Sequence, residues 1–277
     1  MNLQANRQAI WQLLLQQLQT KPAEPSLRPL VLAAHPDDET IGASLLLARF
    51  PESVVIFLTD GAPRDRGLWS AGAHVSREAY SHTRRAEAVR AMAHADVSRV
   101  RIFWLAGVDQ EAVFEICPLG QRLAELMAKL RPDVVITHAY EGGHPDHDAA
   151  AVVAKFATSQ LDHPPVLLEM TSYHARDGCC VTGEFIERGS APEIRFELSQ
   201  RDRERKTRMM GAYTSQRLVL ENFPIDCEPL RLAPDYDFSQ PPHPGKLWYE
   251  CMGWPMTCER WRELAAASLA GQEHSCR

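Results

Sequence analysis

Two short polar clusters interrupt otherwise apolar text: Ala34-His35-Pro36-Asp37-Asp38-Glu39, and Gly142-Gly143-His144-Pro145-Asp146-His147-Asp148. Each sets imidazoles beside carboxylates around a proline. Zinc accepts neutral imidazole and carboxylate oxygen at about 2.0–2.2 Å, and a catalytic zinc usually has three protein ligands and a fourth position for water. Proline fixes its own φ and biases the residue before it toward extended backbone. His35 and Asp38 can therefore turn inward on one side of a tight turn while Asp37 takes another direction. That turn supplies two ligands and leaves a third to be found. The second cluster offers it, with two glycines that let the backbone pack closely. His147 is the better candidate for the metal, which leaves His144 to face a substrate. Either cluster alone could be a helix N-cap. Both together, each at the end of an expected strand, argue for a site.

The elements that must carry these clusters are legible as alternating apolar runs and helical patterns. Buried-strand signals lie at Leu30–Ala34, Ser53–Thr59, Val100–Leu105 and Asp133–Thr137. Between and after them, helical periodicity covers Thr40–Arg49, Ser76–Ala95, Pro118–Leu130 and Asp146–Ser159. Such alternation predicts an α/β fold, a single Rossmann-like domain with a mainly parallel sheet flanked by helices. Ligands of such sheets gather beyond the carboxyl ends of the strands, where HPDDE, the TDGAP at Thr59–Pro63 and HAYEGGHPDH all fall. Further β-like pieces at Val166–Ser172, Val181–Arg188 and Ile194–Leu198 precede a charged helix from about Ser199. The stretch Asn222–Gly253 is rich in proline and aromatics with weak periodicity. It reads as an irregular covering segment ending in a short helix after Thr257. The division expected is 1–28 as an N-terminal helix and linker, 29–221 as the main domain, and 222–277 as a C-terminal extension packed on it.

Composition narrows the partners. At 277 residues and 45% hydrophobic content the chain suits one large domain. Acidic residues outnumber basic ones 36 to 30 without a basic run, so a nucleic-acid partner is not expected. Seven cysteines without a CxxC pair indicate neither a disulfide framework nor a Cys-rich zinc site, and a reducing cytoplasm fits best. No run approaches the roughly 18–20 apolar residues that span a bilayer. The N-terminal segment, broken by glutamines, reads as an amphipathic helix rather than a signal peptide, with docking of Trp11 and its leucines on a lipid surface as the lesser alternative.

At the two clusters the sequence resembles the PIG-L/LmbE-like family of metal-dependent N-deacetylases, which carry AHPDDE near the N-terminus and HPDH further on. Weaker matches are Thr59-Asp60-Gly61, the TRRAEA at Thr83–Ala88, and Tyr213-Thr214-Ser215-Gln216 after a helix containing Lys206. The resemblance covers roughly residues 29–217. It implies a fold that binds one Zn2+ per chain rather than a dinucleotide, and removal of an acetyl group from an N-acetylated sugar or sugar conjugate such as an N-acetylglucosamine derivative. Consistent with that, no GxGxxG follows the first strand. By similarity His35, Asp38 and His147 are metal ligands, Asp37 is the general base, His144 stabilises the tetrahedral intermediate, in charged form if protonated, and Asp146 orients His144.

For substrate contact the resemblance points to Arg84 or Arg85, with Glu87 close by; Asp60 and Trp69 are further candidates. The segment Gly61–Ser81 is long enough to be a lid. The sequence departs from relatives that place a tyrosine just before HPDH, since Gly142 and Gly143 stand there and Tyr140 lies further back. Two rival readings remain: an amidase of the same fold acting on a larger acyl or thiol-sugar conjugate, and a non-catalytic sugar-binding protein. The aromatic C-terminal segment is a candidate for shaping the acceptor side or for homo-oligomer assembly.

Overall fold

The computed structural model describes residues 3–20, 24–70, 76–187 and 193–270. In chain order, α1 (Leu3–Thr20) leads to β1 (Pro29–Ala33), α2 (Asp38–Arg49), β2 (Val54–Thr59), α3 (Arg77–His94), β3 (Ile102–Gly107), α4 (Ile116–Leu130), β4 (Val134–His138) and α5 (Pro145–Ser159). There follow β5 (Val166–Met170), β6 (Tyr173–Arg176), β7 (Cys179–Thr182), β8 (Glu193–Glu197), α6 (Gln200–Gly211), α7 (Arg217–Leu220), β9 (Cys227–Leu232), α8 (Trp248–Cys251) and α9 (Cys258–Ala270).

Seven strands form one sheet in the order β3-β2-β1-β4-β5-β9-β8. The first five run parallel, and β9 and β8 add on antiparallel. Alternation along β1 divides the core. Val31 and Ala33 face a cluster with Trp11, Leu14, Leu46 and Met209, whereas Leu30, Leu32 and Ala34 face one with Leu119, Leu123, Val153 and Trp261. Helices thus cover both faces, as a mainly parallel sheet requires.

Two points differ from the sequence reading and one refines it. In α1, Trp11, Leu14 and Leu18 are at most 2% exposed, so this apolar face is spent on the core and is not presented to a lipid surface. Nor is the segment after Asn222 merely irregular: β9 is a wholly buried strand between β5 and β8, and α8 and α9 follow it. Of the later β-like pieces, expected to extend or flank the sheet, β5 and β8 extend it, and β6 and β7 form a separate two-stranded hairpin. No helix among the described residues is long and apolar enough to cross a membrane.

Candidate metal centre

The parallel register brings the carboxyl ends of β1, β3 and β4 to one edge, and the polar clusters converge there. After β1 the chain turns sharply through His35–Asp38. Asp38 Oδ2 accepts the backbone N–H of His35 at 2.8 Å, which fixes its carboxylate against the turn. Asp37 starts α2 at φ 131°, a region that non-glycine residues occupy at a cost of about 1–3 kcal/mol and that concentrates at functional sites. Glu39, fully buried, holds the strained turn by accepting the Asp37 N–H at 3.0 Å and the Tyr213 hydroxyl at 2.6 Å. The second loop is shaped by Asp148, whose Oδ1 accepts the N–H groups of Glu141 and Gly142. It is pressed against β6 at Gly143, where a Cβ would lie 1.9 Å from the Tyr173 carbonyl oxygen.

Asp38 is the hub. Its carboxylate lies 3.2 Å from His35 Nδ1 and 3.2 Å from His147 Nε2. Ligand atoms of three residue sets lie within 4.8 Å of one another among the described residues: His35 with His144 and His147; Asp38 with His138 and His147; and His35 with Asp109, His144 and Asp146. Hydrogen bonds separate the roles open to these histidines. The Nε2 of His138 accepts the Ala34 N–H at 3.0 Å, and the Nδ1 of His144 accepts the Asp146 N–H at 3.0 Å, so those lone pairs are occupied. His147 Nδ1 and Asp109 Oδ1 are buried without a hydrogen-bond partner.

The electrostatics fit a cation. Burial, then the neighbouring imidazoles, holds His147 neutral with its pKa lowered to about 3, the form a metal requires. Burial opposes ionisation of Asp38, but His147 and His138 outweigh it and hold its pKa well below the ordinary value. Around His35 burial works against charge, yet Asp109, Asp146 and Asp38 overcome it and raise its pKa well above normal. Asp37 is lifted to about 7, mainly by burial, with Arg84 opposing. Four carboxylates, Asp37, Asp38, Asp109 and Asp146, therefore crowd one site beside the Arg84 guanidinium, with Asp109 Oδ1 3.3 Å from His35 Nε2. These donors suit zinc.

His144 and Asp146 differ from expectation. The Asp146 carboxylate bonds His35 Nε2 at 3.1 Å and the N–H groups of Gln110 and Ala112, at 2.7 and 3.1 Å, not the His144 ring. His144 is held neutral, its pKa lowered well below normal by burial and then by His35 and His147, and its Nε2 lies 2.8 Å from the Gln110 side chain. It can offer one N–H into the site, but not a charge.

These groups form the floor of a cleft of about 600 Å3. Of the expected substrate contacts Arg84 lines it, donating to Pro36 O at 2.6 Å and to Gly61 O and Asp37 at 3.2 Å. Arg85 instead sits over the Trp104 ring at 4.8 Å, and Asp60 is held by Arg77 at 2.6 Å. Trp69 donates to Pro63 O and packs on Tyr80, and its neighbour Leu68 lines the cleft in its place. Part of the proposed lid, 71–75, lies outside the described residues. Glu87 is buried and braces α3 to the Tyr213–Gln216 motif through Thr214 Oγ1 and the Ser215 amide, so it is not half of a surface pair. Tyr140 points away, donating to Gln240 O, while Tyr173 packs edge-on against His147 and lines the cleft. A larger depression of about 730 Å3, bounded by Arg176, Arg195 and Lys246, holds none of the candidate residues.

Sequence reading missed Asp109, Gln110 and His138; Trp254 belongs to the aromatic C-terminal segment expected to shape the acceptor side, and with Trp248 it lines the cleft. Trp254 meets His144 edge-on with ring centroids 5.0 Å apart. The available signal was position, since Asp109 and His138 stand at the ends of β3 and β4 as the clusters do at theirs.

Residues 30–158 match the model of the PIG-L family, described as GlcNAc-PI de-N-acetylase, and the resemblance carried by the two motifs stands over that segment. The 1D-myo-inositol 2-acetamido-2-deoxy-alpha-D-glucopyranoside deacetylase of Kineococcus radiotolerans is 31% identical over 149 residues, covering 43% of this chain and 41% of the relative. The chain thus spans about two fifths of the length of that curated relative. Among solved structures, a triple-mutant deacetylase of the teicoplanin biosynthetic pathway aligns at TM-score 0.54 and 19% identity, over 74% of this chain and 97% of that one. The 4-carboxy-2-hydroxymuconate hydratase GalB from Pseudomonas putida aligns at TM-score 0.54 and 15% identity, over 76% and 98%. At such identities the likeness is one of fold, and a fold that carries both a deacetylase and a hydratase does not select the reaction.

Proposed function

We propose that this chain, with a PIG-L match over residues 30–158, is a zinc-dependent hydrolase that removes an N-acetyl group from an N-acetylated sugar or sugar conjugate. The observation that carries this reading is the Asp38 carboxylate, 3.2 Å from both His35 and His147, with Asp37 next to it in sequence and lining the same cleft.

His35, Asp38 and His147 would hold one zinc ion. Zinc there supplies Lewis acidity toward an amide carbonyl and toward a water. Asp37 acts as the base: it is paired with Arg84, not with a histidine, and with a cation bound nearby it stays ionised to accept the proton. Having accepted it, Asp37 can return it to the departing amine. With Nδ1 taken by the Asp146 N–H, neutral His144 carries its proton on Nε2. That N–H faces the Gln110 side-chain amide, whose oxygen must accept it, and would pass to the developing oxyanion when substrate displaces Gln110, while Trp254 packs edge-on against the ring. Asp146 orients His35, a metal ligand, from behind.

The test combines metal analysis with acetate release from N-acetylated sugars, nucleotide sugars and glycolipid precursors. The parent should carry about one zinc per chain, Asp37→Asn should keep the metal and lose turnover, and His147→Ala should lose the metal. Full turnover by Asp37→Asn would remove the base assignment. A parent that binds zinc yet releases acetate from none of these compounds would return the chain to the amidase or sugar-binding reading.

A further inference from the structure

The cleft changes character between floor and mouth. Its floor is the carboxylate and imidazole cluster, whereas its mouth is mainly apolar, with Thr182, Gln216 and Asn222 as its polar members. Among the described residues, four of the seven exposed large hydrophobic side chains line this one opening: Leu68, Leu218, Val219 and Met252, at 38%, 70%, 48% and 51% exposure. Exposed apolar side chains scattered singly need no explanation, whereas a contiguous group at the rim of a charged site marks a binding surface.

The walls carrying them are anchored. On one side α7 is pinned by buried Leu220, and the preceding Gln216 donates to the Tyr80 hydroxyl on α3 at 2.8 Å. On the other, the backbone N–H of Trp248 donates to Gly142 O at 2.8 Å, which ties the segment bearing Trp248, Met252 and Trp254 to the HPDH loop. Of this rim only Leu68 lies within residues 30–158, so most of the mouth is built by parts of the chain outside the family match.

We infer that the mouth is a subsite for an apolar aglycone, an alkyl or aryl group carried by the N-acetylated sugar, so that the substrate is an amphiphile. This rests on the proposed deacetylase reading. A free amino sugar is polar on every side and would leave the rim wet. The scissile amide must reach the floor, which puts the acyl group among Arg84, Asp109 and His144 and leaves the far end of the molecule at the mouth. A cleft of about 600 Å3 is in the range that takes a ligand larger than one sugar ring.

The probes are alkyl β-glycosides of N-acetylglucosamine, from methyl to hexyl, offered to the zinc-loaded protein. Full burial of a methylene changes affinity about fourfold, so at half burial kcat/KM for acetate release should rise about twofold per carbon, or about 30-fold from methyl to hexyl. In Leu218→Asp/Met252→Asp that ratio should fall to about 1–3, while Val100→Asp, exposed but away from the cleft, should keep it. Tryptophan emission titrated with the same series reads binding without turnover and should show the same slope. Acetate release without a chain-length slope would overturn the aglycone subsite and leave the deacetylase reading standing. A slope with N-acyl length on glucosamine but not with aglycone length would overturn it in favour of the amidase. If no glycoside releases acetate yet emission still shows the slope, the subsite stands and the deacetylase reading fails; no slope in either measurement overturns the subsite.

Discussion

Replacing Gly143 with alanine isolates the close approach on which the HPDH loop depends. The added Cβ would sit 1.9 Å from the Tyr173 carbonyl oxygen, and real contacts essentially never fall below 3.0 Å, so the loop and β6 must separate by at least 1.1 Å (3.0 − 1.9). The obstructing atom is strand backbone and cannot swing away as a side-chain tip would. Overpacking of this kind costs about 1–3 kcal/mol. At about 2 kcal/mol the melting temperature should fall by about 4–8 °C, taking roughly 2–4 °C per kcal/mol for large domains. His144 follows directly and His147 lies one helical turn on, so a shift of about 1 Å should also reduce turnover about 100-fold. Differential scanning fluorimetry and acetate release measure the two effects. Gly211→Ala is the control, since a Cβ there meets nothing within 4 Å and the position ends α6. A Gly143→Ala protein that melts and turns over like its parent would refute the packing argument.

Three further substitutions separate roles that the geometry distinguishes. His138→Ala should weaken zinc binding about 10–100-fold by freeing the Ala34 amide behind the site, measured by competition with a chelating dye; a loss as complete as that of His147→Ala would make His138 a ligand. Arg84→Ala should lower kcat/KM about 100-fold because it leaves Asp37 unpaired, while Arg85→Ala should cost only about 0.5–1 kcal/mol of stability through Trp104; equal kinetic effects would return Arg85 to the site. Asp202, bonded twice by Arg49 at 2.9 Å, has its pKa lowered from 3.8 to about 2, mainly by that hydrogen bonding. A folded pKa below the unfolded one adds stability above about pH 4 that is lost as pH falls toward 2, about 1 kcal/mol after solvent screening. The stability difference between parent and Asp202→Asn in urea titrations should therefore shrink across that window; a constant difference would remove the pair from the acid response.

The parallel strands and the two ligand loops were legible because each is local: an apolar run ends and a proline-containing polar turn begins. Asp109 and His138 were not, since each is a single residue without a spacing partner, brought to the HPDD turn, at His35 and at Asp38 respectively, only by the sheet order β3-β2-β1-β4. β9 was hidden for another reason. Its sequence, CEPLRL, breaks hydrophobic periodicity, yet every residue is buried because Glu228 pairs with Lys206 and Arg231 pairs with Glu169 and Glu141. Substrate contacts were the least legible. Helical spacing does not tell Arg84 from Arg85, which leave α3 in different directions, one to Asp37 and one to Trp104.

The place of β9 also sets the order in which the molecule can be completed during synthesis. Until residue 232 has left the ribosome, β5 shows an unpaired edge, and an open edge is an invitation to pair with another chain. The HPDH helix waits longer still for its support, because the Trp261 indole donates to Pro145 O from α9, near the end of the described chain. A ribosome that pauses after the motif-bearing half would therefore hold out a nascent chain with every proposed ligand translated and the scaffold that keeps them in register unfinished.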